Sequence, residues 1–381
     1  MTVKSSTYQV ATRIVSGVGT LVTLPEHVRS LPVDLARVAL VHDAALAGTS
    51  VLPAVMAALD GIAVGVVLPV EPDPTLEAGD ALAAVARAAW CNVVVAVGGG
   101  SALGAAKAVA LLLTNQGSAA DYRGWDRGTS KPAPSVAIPT TAGSGSEVSN
   151  ALVLRTDEQV VVRGRGYEPT VAVLDGELLV TLPDRPMLYA GLDALSHCYE
   201  ALWSVNSSTI TDALAIAAAG MIRSDLPTAL QERDVNVLQR LLEASTMANM
   251  ACGNTGLGLV HALSSTATVE LPHGLQNGVL LPYVARFNAP AVRPAVRTEI
   301  DAIDTLYDVL GFDASFDGLG LTDSDFEAMV ASALANEFAA INIRPATRDE
   351  LVELVLAAAA PLRVHDGAGV TVGGATDEAR R

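Results

Sequence analysis

Asp193 and His197 stand four residues apart in GLDALSHCYE, a stretch that otherwise reads as an apolar helix. One helical turn separates them, so both side chains face the same space. A buried carboxylate and imidazole cost free energy unless they are paired or bound to something. Two further histidines lie in apolar surroundings, His261 in GLGLVHALSS and His273 in LPHGLQNG, in a chain whose six histidines also include His27, His42 and His365. One carboxylate and three imidazoles make a four-donor set suited to Fe²⁺ or Zn²⁺. Each histidine taken singly is better read as a hydrogen-bonded core or cleft residue, while for the four together spacing alone leaves both readings open.

A second constellation lies in VVVAVGGGSALGAAK, a buried strand running through glycines into a helix. Backbone N–H groups at such a helix start favour a phosphate, so Gly98, Gly99, Gly100 and Ser101 are candidates to contact a pyrophosphate. The segment matches neither the GxGxxG fingerprint nor a P-loop, and a tight structural turn is the alternative. Asp43, at the end of VALVHD, can accept hydrogen bonds from an adenine-side ribose and would favour NADH over NADPH, or it can simply cap a helix. Thr140, Thr141, Ser144 and Ser146 in IPTTAGSGSE bring hydroxyls to a flexible loop able to close over a nucleotide. Lys107 could hold a ligand, but reads by default as a solvated helix lysine.

The elements that must position these groups follow from pattern. From about 37 to 113, short β-branched runs alternate with Ala-rich helical ones, which predicts a parallel sheet covered on both faces. From about 186 the chain turns to long Ala/Leu/Met-rich stretches such as MLYAGLDALSHCYEALW and VNVLQRLLEASTMANMACGNTG, which predict helices. Two domains are expected: residues 1–185 as an α/β dinucleotide-binding domain, and residues 186–381 as an all-helical metal-binding and catalytic domain. The tail DGAGVTVGGATDEARR is expected to be frayed.

Among 381 residues, 24 Lys and Arg face 41 Asp and Glu, a formal charge of −17. Such a surface repels a nucleic acid or an anionic membrane, so neither is expected as a partner. Cys91, Cys198 and Cys252 are too few and scattered for a disulfide framework, and the N-terminus lacks the apolar core of a signal peptide. A cytoplasmic setting is expected, with a homodimer suggested by exposed sheet edges.

The segments GGGSALGAAK, IPTTAGSGSEVS, GLDALSHCYEALWS and GLVHALSSTATVELPHG, in that order, resemble the signatures of the iron-containing (group III) alcohol dehydrogenase family. The resemblance runs from RIVSGVGTLVTLP to INIRPATRDELVEL. It implies an α/β N-terminal doubly wound nucleotide-binding domain and an all-α C-terminal metal-binding domain, a fold shared with dehydroquinate synthase. It also implies NAD and Fe²⁺ or Zn²⁺ as cofactors, a small aldehyde or alcohol as substrate, and Asp193, His197, His261 and His273 as metal ligands. Three positions depart from the common pattern. Gly104 stands where many members carry an acidic residue, as it does in the maleylacetate reductase branch. Ser265 stands where many have a further histidine, a proton-relay candidate. The interval from His261 to His273 is shorter than usual, which requires the loop carrying His273 to be rebuilt.

ALWSVNSSTITDALA is similar to a segment of phosphonoacetaldehyde reductases, implying a small and anionic aldehyde. Arg163 and Arg165 in VVVRGRGYEP are candidates for the cation that would hold it, or are merely solvated. His261 and Ser265 are expected at the reacting centre; the proton can come from the Ser265 hydroxyl, a ribose hydroxyl or a water. The alternatives are a maleylacetate reductase-like enzyme, a dehydroquinate synthase-like lyase, and a member that no longer holds metal.

Overall fold

The computed structural model describes residues 6–156, 159–266 and 268–360; the C-terminal tail from 361 lies outside them. Strands β1 (Arg13–Ser16), β2 (Arg37–Asp43), β3 (Ala63–Val70), β4 (Val93–Gly98), β6 (Ser135–Pro139) and β9 (Val171–Leu174) form one sheet in the order β1-β9-β6-β4-β2-β3. Every pairing in it is parallel. The apolar runs ALV of β2 and VVVAVG of β4 are buried throughout, because helices cover both faces. A smaller sheet, ordered β5-β8-β7, holds β5 (Gly124–Trp125), β7 (Ala151–Arg155) and β8 (Gln159–Arg163).

Helices α1 (Leu24–Arg29), α2 (Val51–Ala58), α3 (Leu76–Ala88) and α4 (Gly100–Thr114) belong to the sheet-bearing half. After β9 the described chain is helical: α5 (Asp184–Leu202), α6 (Thr209–Glu232), α7 (Val235–Thr255), α8 (Leu259–Ser264), α9 (His273–Asn288), α10 (Pro294–Leu310), α11 (Asp323–Ala335), α12 (Glu337–Ile341) and α13 (Arg348–Ala359). Helix α5 runs through the centre of this half, packed by α6, α7 and α9, and is buried from Gly191 to Leu202. Helix α6 has the length and hydropathy of a membrane span, but it packs on α5 and α7. Its Arg223 and Asp225 are ion-paired to Glu299 and Arg240.

Two features position the site. The strand order reverses between β2 and β4, and in open α/β sheets ligands bind at that switch point, where Gly98 ends β4. Gly98 has φ +145°, and a Cβ there would lie 2.8 Å from the Cβ atoms of both Asp43 and Ala102, so only glycine lets β2, β4 and α4 meet this closely. The β7–β8 hairpin crosses outside α4. Leu152, Leu154 and Val162 are buried, while Ala151, Val153, Arg155, Val161 and Arg163 lie on the opposite face.

Candidate metal and nucleotide site

Helix α5 supplies Asp193 and His197 from successive turns, α8 supplies His261, and α9 begins with His273. Asp193 Oδ1 lies 4.0 Å from His197 Nε2, 3.6 Å from His261 Nε2 and 3.9 Å from His273 Nε2. Those separations are too long for hydrogen bonds between the donors. Four donors each about 2.1 Å from one ion stand roughly 3.4 Å apart, so slight side-chain shifts would seat an Fe²⁺ or Zn²⁺ ion. Asp193, His197 and His261 are buried, whereas the His273 side chain is 43% exposed. The rings of His197 and His261 stack with centroids 4.8 Å apart, and His197 Nδ1 is buried without a partner among the described residues. The residues present fit the ion.

Two residues in contact with the donors escaped the sequence reading. Buried Glu200 accepts from His261 N–H at 3.1 Å through Oε1, and its Oε2 lies 2.5 Å from His261 Nδ1. That bond turns Nε2 towards Asp193, the usual second contact of a metal-binding histidine. Glu200 follows His197 by three positions within GLDALSHCYE, so helical spacing carried the signal. Asn277, one turn after His273, places Nδ2 2.8 Å from Asp193 Oδ1 and 3.1 Å from both His261 Nε2 and His273 Nε2. Its Oδ1 accepts from Ser264 Oγ at 2.6 Å.

Burial pushes His261 down, but Glu200 and Asp193 outweigh it and raise its pKa to about 10. Burial holds His197 down at about 4 against the pull of Asp193. Burial pushes the Asp193 carboxyl up, and the three facing imidazoles overcome it and hold the group well below the ordinary carboxylate range. Positive charge is thus favoured between Asp193 and Glu200.

One cavity of about 500 Å³ has on its wall Gly99, Gly100, Ser101, Thr141 and Ser144 as well as all four candidate metal ligands. Gly98, Asp43 and Thr140 are not on that wall. Asp43 accepts from Ala45 N–H at 3.0 Å as a helix cap, and the Thr140 N–H donates to Gly98 O at 3.1 Å. Ser265 lines the cavity, and its hydroxyl donates to His261 O at 2.5 Å. Lys107 departs from the solvated lysine expected. Helix α4 is enclosed on all sides, and Nζ donates to Ser146 Oγ at 2.9 Å and Ala151 O at 2.8 Å. Of the two candidate arginines, Arg163 lines the cavity and is ion-paired with Glu337, while Arg165 is exposed and off the wall.

Comparison with known proteins agrees with this geometry. Residues 11–176 match the iron-containing alcohol dehydrogenase family, and residues 187–359 match the C-terminal region of the Fe-containing alcohol dehydrogenase family. The probable alcohol dehydrogenase EutG of Escherichia coli is 36% identical over 301 residues, 73% of this chain and 76% of that protein. The crystal structure of a 1,3-propanediol oxidoreductase superposes with a TM-score of 0.88 at 29% identity, covering 93% of this chain and 100% of that one. Sulfoacetaldehyde reductase from Bifidobacterium kashiwanohense, in complex with NAD⁺, superposes with a TM-score of 0.83 at 28% identity, covering 93% and 99%. With its parallel-sheet and helical halves and a carboxylate and three imidazoles gathered between three helices, the chain belongs to the iron-containing alcohol dehydrogenase family.

Proposed function

We propose that the protein interconverts a small aldehyde bearing an anionic group, such as a phosphonate or sulfonate, and its primary alcohol, with NADH as the reductant. The observation that carries this reading is one cavity wall shared by the glycine turn, the four metal donors and the Arg163 guanidinium. When bound, the cation supplies Lewis-acid polarisation of the carbonyl oxygen and the nicotinamide supplies hydride.

The chain's own groups do the rest. Asp193, His197, His261 and His273 hold the cation, and Glu200 fixes the ring of His261. The amides that open α4 at Gly100 and Ser101 face the pyrophosphate, for which a helix start is suited. Arg163 pairs with Glu337 at the cavity wall, and a bound anion would compete with that carboxylate for the guanidinium. The Ser265 hydroxyl, already directed at His261 O, retains lone pairs through which a proton can pass. If Ser265→Ala leaves both the rate and its pH profile unchanged, the serine has no part in proton transfer.

The test measures metal content and NADH oxidation on phosphonoacetaldehyde, sulfoacetaldehyde and propanal, for wild type and Arg163→Ala. A preference for the anionic aldehydes that disappears in the variant supports the reading. Equal losses on charged and neutral aldehydes would remove the anion from it.

A further inference from the structure

The glycine turn offers a pyrophosphate backbone amides but no cation. Lys107, the nearest basic residue along the chain, is spent in the core on Ser146 and Ala151. Among the described residues, the wall of the cavity carries only two Lys or Arg side chains, Arg155 and Arg163. Both come from one hairpin and one face of it, Arg163 opposite Ala151 and Arg155 opposite Gln159. Four residues of strand separate Ala151 from Arg155, about 13 Å at ~3.3 Å per residue. The two arginines therefore leave the hairpin at different points along the cavity.

Arg155 belongs to the nucleotide stretch. Its N–H donates to Pro74 O at 3.1 Å, and the neighbouring Asp73 N–H donates to Ser101 Oγ at 3.1 Å. Asp73, Pro74, Gly100 and Ser101 all line the cavity with it. Asp73 holds φ +49°, a left-handed conformation that fixes the bend linking β3 to the start of α3 beside the glycine turn. The backbone of Arg155 is thus tied within two hydrogen bonds of Ser101. Unlike Arg163, the Arg155 side chain is in no ion pair with a described residue.

We infer that Arg155 is a cofactor-binding residue whose guanidinium meets the dinucleotide's pyrophosphate over Gly99 to Ser101, so that the β7–β8 hairpin carries one cation for the cofactor and another for the substrate. A guanidinium matches paired phosphate oxygens in its fork geometry, and on an acidic chain this local cation offsets repulsion of a dianionic ligand. The inference rests on the nicotinamide reading above.

The experiment measures binding of NADH, ADP-ribose and adenosine to wild type, Arg155→Ala and Arg155→Lys, at low and at moderate salt. The expected result for Arg155→Ala is a loss of about tenfold in affinity for NADH and for ADP-ribose, smaller at higher salt, with adenosine unaffected and Arg155→Lys recovering only part of the affinity. Unchanged NADH and ADP-ribose binding in Arg155→Ala overturns the inference while leaving the cofactor reading intact. So does an equal loss for adenosine, which would mean the hairpin itself had shifted. A wild type that binds neither NADH nor ADP-ribose overturns the cofactor reading and the inference with it.

Discussion

Glu200 is wholly buried beside His261, and a buried carboxylate persists only where a partner compensates its desolvation. Glu200→Gln keeps the size and one acceptor but removes the charge that fixes the imidazole. Metal affinity measured by competition with a chelator should fall about 10- to 100-fold, while the folded state survives. An unchanged affinity would mean that packing alone holds the ring. Lys107 offers a test in pH. Burial pushes its amine down to about 7, although Glu147 and Glu168 pull the other way. An unfolded lysine titrates near ~10.4, so between about 7 and that value the unfolded chain holds a proton that the folded chain does not. Stability from this group is therefore lost as pH falls through that window, and rises with pH by at most ~1.4 kcal/mol per unit inside it. Thermal unfolding of wild type and Lys107→Met between pH 7.5 and 9.5 should show the wild type gaining relative to the variant. Parallel curves would place the amine's proton elsewhere.

Among the elements, the junction of β2, β4 and α4 leaves least room. Gly98→Ala would press a methyl group against Asp43 and Ala102 at a φ that L-residues rarely adopt. A loss of about 1–3 kcal/mol in urea unfolding is expected, together with weaker NADH binding, because the glycine turn cannot keep its path. A variant as stable as wild type would show that the turn can relax. Helix α5 illustrates a different constraint. Its apolar positions pack against α6, α7 and α9, and Asp193, His197 and Glu200 share the side towards α8 and α9.

At the scale of the whole molecule, the four donors tie together α5, α8 and α9, which are far apart in sequence. A ligand that binds only the folded chain stabilises it by about 4 kcal/mol at a thousand times its Kd. Removing metal by chelation should therefore lower the melting temperature by several degrees, and Asp193→Ala should abolish the difference between chelated and metal-supplied protein. A melting temperature indifferent to Fe²⁺ and Zn²⁺ in wild type would count against a bound ion. The acidic surface bears on the same scale, since ionic strength should weaken the binding of anionic ligands only where a local cation such as Arg163 meets them.

Local pattern determined a good deal: the alternation of β-branched and Ala-rich runs, the glycines after β4, and the helical spacing that puts Asp193 and His197 on one side of α5 all depend on a few neighbouring residues. The resemblance carried in four ordered segments added the pairing of those two residues with His261 and His273. Tertiary structure decided the rest. It buried Lys107 because α4 is covered on every side, which an Ala-rich helix with one lysine does not announce. It put Arg163 on the cavity wall and left Arg165 off it, because strand residues two apart share a face only while the strand continues, and β8 ends at Arg163. It brought Asn277 against three donors and moved Asp43 and Thr140 behind the wall. These outcomes depend on contacts between segments tens to hundreds of residues apart, and spacing along a chain fixes direction only within one element.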